Sequence, residues 1–187
     1  EDNIINEIFN SLIKQSNYYK RKKNIINFNK KNYHLKKGIC ITPVKFGISF
    51  TTTYLNQGGA LVHVYTDGSV HLNHGGIEMG QGLMTKISQI ASNEFGIPIE
   101  EIKITSTDTE KVPNTSASAA SASTDINGGA VVDAIKKIKN NLKKFINEKF
   151  NYKGKKIIYK NQKVYYGNNN INFKELIFKA YLKRISL

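Results

Sequence analysis

Apolar residues recur at helical spacing in several stretches of the chain. Ile4, Ile5, Ile8, Phe9, Leu12 and Ile13 mark one stripe across residues 4–18, which predicts an amphipathic helix. Residues 19–37 are basic and Asn-rich, and read as a helical extension or a surface linker. Leu83, Ile87, Ile90, Ala91 and Phe95 trace a second face. Gly96 and Pro98 should end that helix, because glycine accepts the left-handed cap and proline cannot continue the hydrogen-bond ladder. A longer stripe runs through Val131, Ile135, Ile138, Leu142 and Phe145, flanked by Lys136, Lys137, Lys139, Lys143 and Lys144 as a solvated face. Phe173 to Lys183 reads as a further amphipathic helix.

Between these stripes the pattern changes to β-branched and aromatic runs. Ile39 to Phe50 reads as a strand, with Pro43 at a bend or an edge. Ala60 to Tyr65 and Val70 to Asn73 predict two strands joined around Asp67-Gly68, a dipeptide suited to the positive φ of a tight hairpin. Ile102 to Ser106 predicts another strand, and Lys156 to Tyr166 a hairpin. No internal repeat is visible.

Composition adds a net charge of +14 on 187 residues. That raises a lysine-rich nucleic-acid-binding module as an alternative. Against it, Arg21 and Arg184 are the two arginines, whereas specific base readout favours the arginine fork. The lysines concentrate at residues 14–37 and 136–163 beside Asn, Ile, Tyr and Phe, all residues with A/T-rich codons, so a nucleotide bias accounts for the charge. Cys40 is the single cysteine, which excludes an internal disulfide and disfavours a structural zinc site. No apolar run approaches the ~20 residues that span a bilayer. A cytoplasmic location without membrane contact is the expectation.

Two segments invite a ligand. The run from Asn73 to Gly82 (NHGGIEMGQG) joins a predicted strand to a predicted helix and holds Gly75, Gly76, Gly80 and Gly82. Glycines let backbone approach a bulky group, and the following helix start offers N–H donors and a positive dipole end. A plain tight turn is the other reading of the same spacing. Asn114 to Thr124 (NTSASAASAST) is a stretch of small and hydroxyl residues that opens the long helix. It reads either as a flexible linker or as a second wall closing on the same anionic ligand.

The residues themselves are more specific than their spacing. Thr42 to Phe50 (TPVKFGISF), Leu55-Asn56-Gln57, Val64 to Val70 (VYTDGSV), His74 to Gly82 (HGGIEMGQG) and Val112 to Ser116 (VPNTS) resemble, in order, the molybdopterin-binding subunit of the xanthine dehydrogenase and aldehyde oxidase family. The likeness is close over about residues 35–132, and Arg184-Ile185-Ser186-Leu187 also resembles a family segment. It implies an α+β fold of mixed sheets with packed helices, part of a molybdenum-pterin-binding domain. Residues 1–37 would be a basic lead-in and residues 38–187 a partial domain. The implied reaction is oxidation of purines such as hypoxanthine and xanthine to urate at a molybdenum-molybdopterin cofactor. Electrons would then pass through 2Fe-2S clusters and FAD, in other regions or a partner subunit, to NAD.

Carried over residue by residue, the resemblance makes Met79, Gly80 and Gln81 the pterin loop. Ala120 becomes a backbone position near molybdenum, and Ser121, Ser123 and Thr124 a hydroxyl cluster around the cofactor. Phe50 matches a ring that sandwiches the purine, and Thr51 a substrate contact. Ser118 stands where relatives often have Thr, which keeps the hydroxyl, and Ser116-Ala117 replaces a Ser-Pro of some relatives. No catalytic residue is expected in this chain: the glutamate base of a Gly-x-Gly-Glu segment would lie beyond Leu187. Glu78 is expected to bond backbone rather than act as that base. The chain is therefore expected to be an internal, by itself inactive fragment of a larger enzyme that forms a homodimer and works with an Fe-S/FAD subunit or domain, and to be poorly stable alone. A decayed remnant is a third reading.

Overall fold

A computed structural model describes residues 3–44, 47–111, 114–119 and 121–187. Contacts divide the chain into two compact units, residues 1–47 and 48–187.

The first unit is helical. The stripe of residues 4–18 forms α1 (Ile5–Gln15), and the basic run continues as α2 (Tyr18–Lys31). The single helix expected over 4–18 is interrupted at Asn17, which takes φ 50 in the left-handed region. Asparagine tolerates that conformation because its short amide can bond locally. Neither helix buries a residue, and Ile4, Ile8 and Leu12 remain exposed. After α2 the side chain of Asn29 clamps the returning chain: Nδ2 donates to Lys37 O at 2.9 Å and Oδ1 accepts from Lys37 N at 2.9 Å. Lys37 Nζ also sits 4.1 Å from the Phe28 ring centroid.

The strand expected over Ile39 to Phe50 is absent among the described residues of that stretch, where the backbone is irregular and mostly exposed. Strand preference measures how well a side chain fits a half-buried, paired surface. No neighbouring strand pairs with this segment, so the β-branched residues have no ladder to join.

The second unit is α+β. One sheet has the order β1 (Ala60–Val64), β2 (Val70–His74), β3 (Ile102–Ile104). β1 and β2 are antiparallel, with Val62 opposite Leu72 and Val64 opposite Val70. Within their turn Gly68 supplies the positive φ, at 84, while Asp67 does not; its carboxylate instead accepts from Ser69 N at 2.9 Å. β2 and β3 are parallel, Val70 beside Ile102. A parallel pair needs a crossover, and α3 (Leu83–Phe95) provides it. The stop expected at Gly96 is present: Gly96 caps α3 at φ 65, and a Cβ there would fall 2.5 Å from Lys160 N.

The long stripe forms α4 (Ser123–Lys149), which lies against α3 and β1. Gly128 is the point of close approach, since a Cβ would meet Ile90 Cδ1 at 2.8 Å. Leu83, Ile87, Ala91 and Phe95 of α3 and Val131, Ile135, Leu142 and Ile146 of α4 are buried with Val70 and Leu72. Each fully buried aliphatic or aromatic side chain contributes roughly 1.5–3 kcal/mol through apolar area removed from water. Of the five flanking lysines, Lys136, Lys137 and Lys144 are exposed as expected. Lys139 is not on a solvated face. It pairs with Glu94 at 2.7 Å and lies 4.9 Å from the Tyr159 ring centroid.

The expected hairpin is β4 (Ile157–Lys160) and β5 (Lys163–Tyr166), extended by β6 (Asn169–Asn172) into a second antiparallel sheet. β6 carries no strand signal in the sequence because asparagine disfavours strands; its Ile171, opposite Val164, supplies the buried contact that overrides that preference. α5 (Phe173–Leu182) follows, capped by Asn172 Oδ1, which accepts from Lys174 N at 2.9 Å. No helix among the described residues is long and apolar enough to cross a membrane.

Candidate functional site

The glycine loop leaves the end of β2 at His74, whose side chain is fully buried. His74 Nδ1 accepts from Gly76 N at 3.0 Å, which bends the chain immediately. Thr107 Oγ1, in the segment after β3, lies 2.9 Å from His74 O and 2.7 Å from Gly76 O, and so ties the first turn down. Gly76 has no room for a side chain: a Cβ would fall 2.6 Å from Leu83 Cδ2 and 2.9 Å from Asn127 Nδ2. Burial alone holds the His74 imidazole below its ordinary pKa, which favours the neutral ring.

The outer part of the loop is organised by two of its own side chains. Glu78 Oε1 accepts from Gly80 N and from Gly82 N, both at 2.9 Å, and Oε2 accepts from Met84 N at 3.1 Å. The Met84 N–H, first among these donors, keeps the Glu78 carboxyl below the usual carboxylate range. Glu78 is thus a charged cap on α3, bonded to backbone as expected and unsuited to proton abstraction. This corrects one expectation. The start of α3 reads in the sequence as a seat for an anionic ligand, but the carboxylate of Glu78 already fills it. Gln81 folds back in the same way: Oε1 accepts from Met79 N, and Nε2 donates to Ile77 O at 2.9 Å.

The small-residue segment meets this loop directly. Ile77 N donates to Ser118 Oγ at 2.7 Å, and Ser123 Oγ donates to Ser118 Oγ at 2.9 Å. Ser118 therefore joins the glycine loop to the first residue of α4. Asn127 Nδ2 donates to Ser123 O at 3.0 Å one turn further on. A third segment is stitched to the second: Gln57 N donates to Ser116 Oγ and Ser116 N to Gln57 O, both at 3.0 Å. Asn56 in turn clasps Phe50, with Oδ1 accepting from Phe50 N at 2.9 Å and Nδ2 donating to Phe50 O at 2.8 Å.

Of the residues singled out in the sequence, Met79 and Gly80 are exposed on the loop and Gln81 is half-buried. Ser123 is buried at the start of α4, with Ser121 and Thr124 half-buried beside it in sequence. Phe50 and Thr51 are exposed. Ala120 lies outside the described residues, as do Val112 and Pro113 of one matching motif. The linking residues Thr107, Gln57 and Ser118 were not marked as site residues by the sequence. Gln57 and Ser118 at least sit in segments that carry the family likeness, whereas Thr107 follows β3 with no motif or periodicity to flag it.

The result is a wall of hydroxyls, amides and backbone groups with one carboxylate, Glu78, whose charge is held by backbone N–H groups. Among the described residues no three His, Cys, Asp or Glu side chains gather to hold a metal.

Comparison with known proteins identifies the family. The chain is 60% identical over 131 residues to xanthine dehydrogenase/oxidase of Gallus gallus, covering 70% of this chain and 10% of that protein. It is 42% identical over 183 residues to xanthine dehydrogenase of Oryza sativa subsp. japonica, covering 98% of this chain and 12% of that protein. The chain thus spans about a tenth of the length of these relatives. Among solved structures it is similar in fold to CO dehydrogenase from Oligotropha carboxidovorans, with TM-score 0.60 and 24% identity over 66% of this chain and 16% of that one. Quinoline 2-oxidoreductase from Pseudomonas putida 86 gives TM-score 0.61 at 22% identity, over 68% of this chain and 16% of that one. The model of the molybdopterin cofactor-binding domain matches residues 11–187, which include the second unit, most of the first and every segment that meets at Ser118, and the chain belongs to that family.

Proposed function

We propose that this chain forms one wall of the cofactor site in a molybdenum hydroxylase that oxidises purines, taking hypoxanthine and xanthine to urate. The observation that carries the reading is the junction at Ser118, where the glycine loop and the start of α4 share one hydroxyl oxygen. A large cofactor needs two backbone segments fixed at close range, and that oxygen fixes them. The names of the relatives, both xanthine dehydrogenases, support the purine assignment. Residues 38–187 supply the partial domain in this reading, and residues 1–37 a basic lead-in.

The donor set fits a cofactor whose metal is carried by its own organic ligand, because side chains able to hold a metal do not cluster among the described residues. Met79, Gly80 and Gln81 would line the pterin in this reading, while the Met79 and Gly80 N–H groups and the Gln81 amide bond within the loop and hold its shape. Ser121 and Thr124 would offer hydroxyls to the cofactor, and Ser123, buried and donating to Ser118, would hold the segment in place. Phe50 presents its ring and Thr51 its hydroxyl to the purine. When bound, molybdenum-molybdopterin supplies the two-electron redox chemistry. The chain's own work is to bind, orient and exclude water, and the proton-abstracting base comes from outside it. In this reading 2Fe-2S clusters and FAD in other regions or a partner subunit would supply the electron path to NAD, in an assembly that would be a cytoplasmic homodimer.

The test is to purify the native protein that carries this chain, determine molybdenum by mass spectrometry and follow xanthine-dependent NAD reduction. About one molybdenum per chain and urate formation are expected. Metal-free protein that is inert to xanthine and hypoxanthine would refute the proposal.

A further inference from the structure

The histidine beneath the glycine loop has a task that neither the cofactor nor the substrate accounts for. His74 is fully buried, and its Nε2 has no partner among the described residues. Its single hydrogen bond is the one in which Nδ1 accepts from Gly76 N at 3.0 Å. That bond fixes the tautomer: Nδ1 must carry the lone pair, so the proton sits on Nε2. Gly76 is in turn the residue whose carbonyl, with that of His74, is held by Thr107 Oγ1. One residue later Ile77 N reaches Ser118.

We infer that His74 is a positioning residue for the cofactor loop, acting as an obligate acceptor at Nδ1, and that its protonation releases the loop. The inference rests on the proposed function for what the loop holds. Protonating Nδ1 turns the acceptor into a donor facing the Gly76 N–H. The two donors repel, and a positive charge is created in a buried place. The groups around the ring are neutral. Leu83 of α3 and Asn127 of α4 stand with His74 Nδ1 around Gly76, and Thr107 bonds the His74 carbonyl. Burial lowers the ring's pKa, and among the described residues no charged group acts on it. The sign follows directly. Folded-state affinity for the proton is below that of a free imidazole, so the loop's stability is complete above the ordinary histidine value of 6.5 and is lost progressively as pH falls below it.

The experiment uses the native protein with three substitutions: His74→Asn, whose Oδ1 replaces Nδ1 as a non-titrating acceptor; His74→Gln, closer in volume but without an acceptor at that place; and His74→Leu. Molybdenum content after gel filtration is measured across mildly acidic to neutral pH. The wild-type protein should lose metal as pH falls, and His74→Asn should keep it across the range. His74→Gln and His74→Leu should hold about tenfold less at neutral pH, the effect of leaving one buried donor unmade. The inference is overturned by His74→Gln retaining metal as well as or better than His74→Asn, which makes the role one of volume, or by His74→Asn losing metal on acidification in parallel with wild type. Wild-type protein without molybdenum at neutral pH would instead sink the proposed function. Far-ultraviolet circular dichroism at each pH separates release of the loop from global unfolding, and loss of metal only together with global unfolding also overturns the inference.

Discussion

Replacing Ser118 by alanine removes an oxygen that joins the glycine loop to α4. Two hydrogen bonds end on it, from Ile77 N at 2.7 Å and from Ser123 Oγ at 2.9 Å. Each is worth about 0.5–1.5 kcal/mol net, so their joint loss amounts to about 1–3 kcal/mol. The Ser123 hydroxyl recovers part of this, because it also lies 3.2 Å from Ala119 O and can turn to that acceptor. Ile77 N–H has no second acceptor of that kind, although water can reach its exposed residue. The net cost therefore lies toward the lower end, about 1–2 kcal/mol, or roughly a five- to thirtyfold shift toward a detached loop at 1.4 kcal/mol per decade. The assay is retention of molybdenum by the native protein during prolonged dialysis, alongside thermal unfolding. Ser118→Ala should lose metal at least about fivefold faster, by the same conversion, while Ser118→Thr, which keeps the oxygen, should match wild type. Retention by Ser118→Ala equal to wild type would refute the claim that this hydroxyl fixes the loop, and equal loss by Ser118→Thr would show that bulk rather than the oxygen matters.

Other substitutions test separate parts of the structure. Ile135→Ala opens a cavity at a fully buried position of α4 and should destabilise the protein by about 2–5 kcal/mol in chemical denaturation. Gly96→Ala places a Cβ 2.5 Å from Lys160 N at φ 65, so it should cost more than about 1 kcal/mol, read as a lower unfolding midpoint. Glu78→Gln should flatten the acid limb of stability. The native carboxyl sits below its ordinary value of 4.5, so its contribution is full above that value and disappears as pH falls through the lowered one. Thermal unfolding from neutral to acidic pH, compared between the two proteins, checks the difference.

The amino-acid sequence was enough to locate most of the elements. Leu83, Ile87, Ala91 and Phe95 announce α3, and Val131 to Phe145 announce α4, because a buried stripe repeats with the helical period whatever it packs against. The alternation in Val62, Val64, Val70 and Leu72 marks a sheet with one buried face for the same reason. The family likeness in the loop from His74 to Gly82 and in the segment from Asn114 to Thr124 was legible too, since it depends on residue identity alone. What the sequence left open was everything set by partners distant along the chain. Ile39 to Phe50 has the residues of a strand but no neighbour to pair with, whereas Asn169–Asn172 lacks them and pairs because β5 is alongside. Lys139 reads like its neighbours until Glu94 and Tyr159 arrive from elsewhere. The free helix start offered by the glycines proved to be occupied, because a loop of that shape lets Glu78 reach three N–H groups at once. Periodicity is a local property and survives in one dimension; hydrogen-bond ownership depends on which groups the folded chain brings within about 3 Å, and only the tertiary structure decides that.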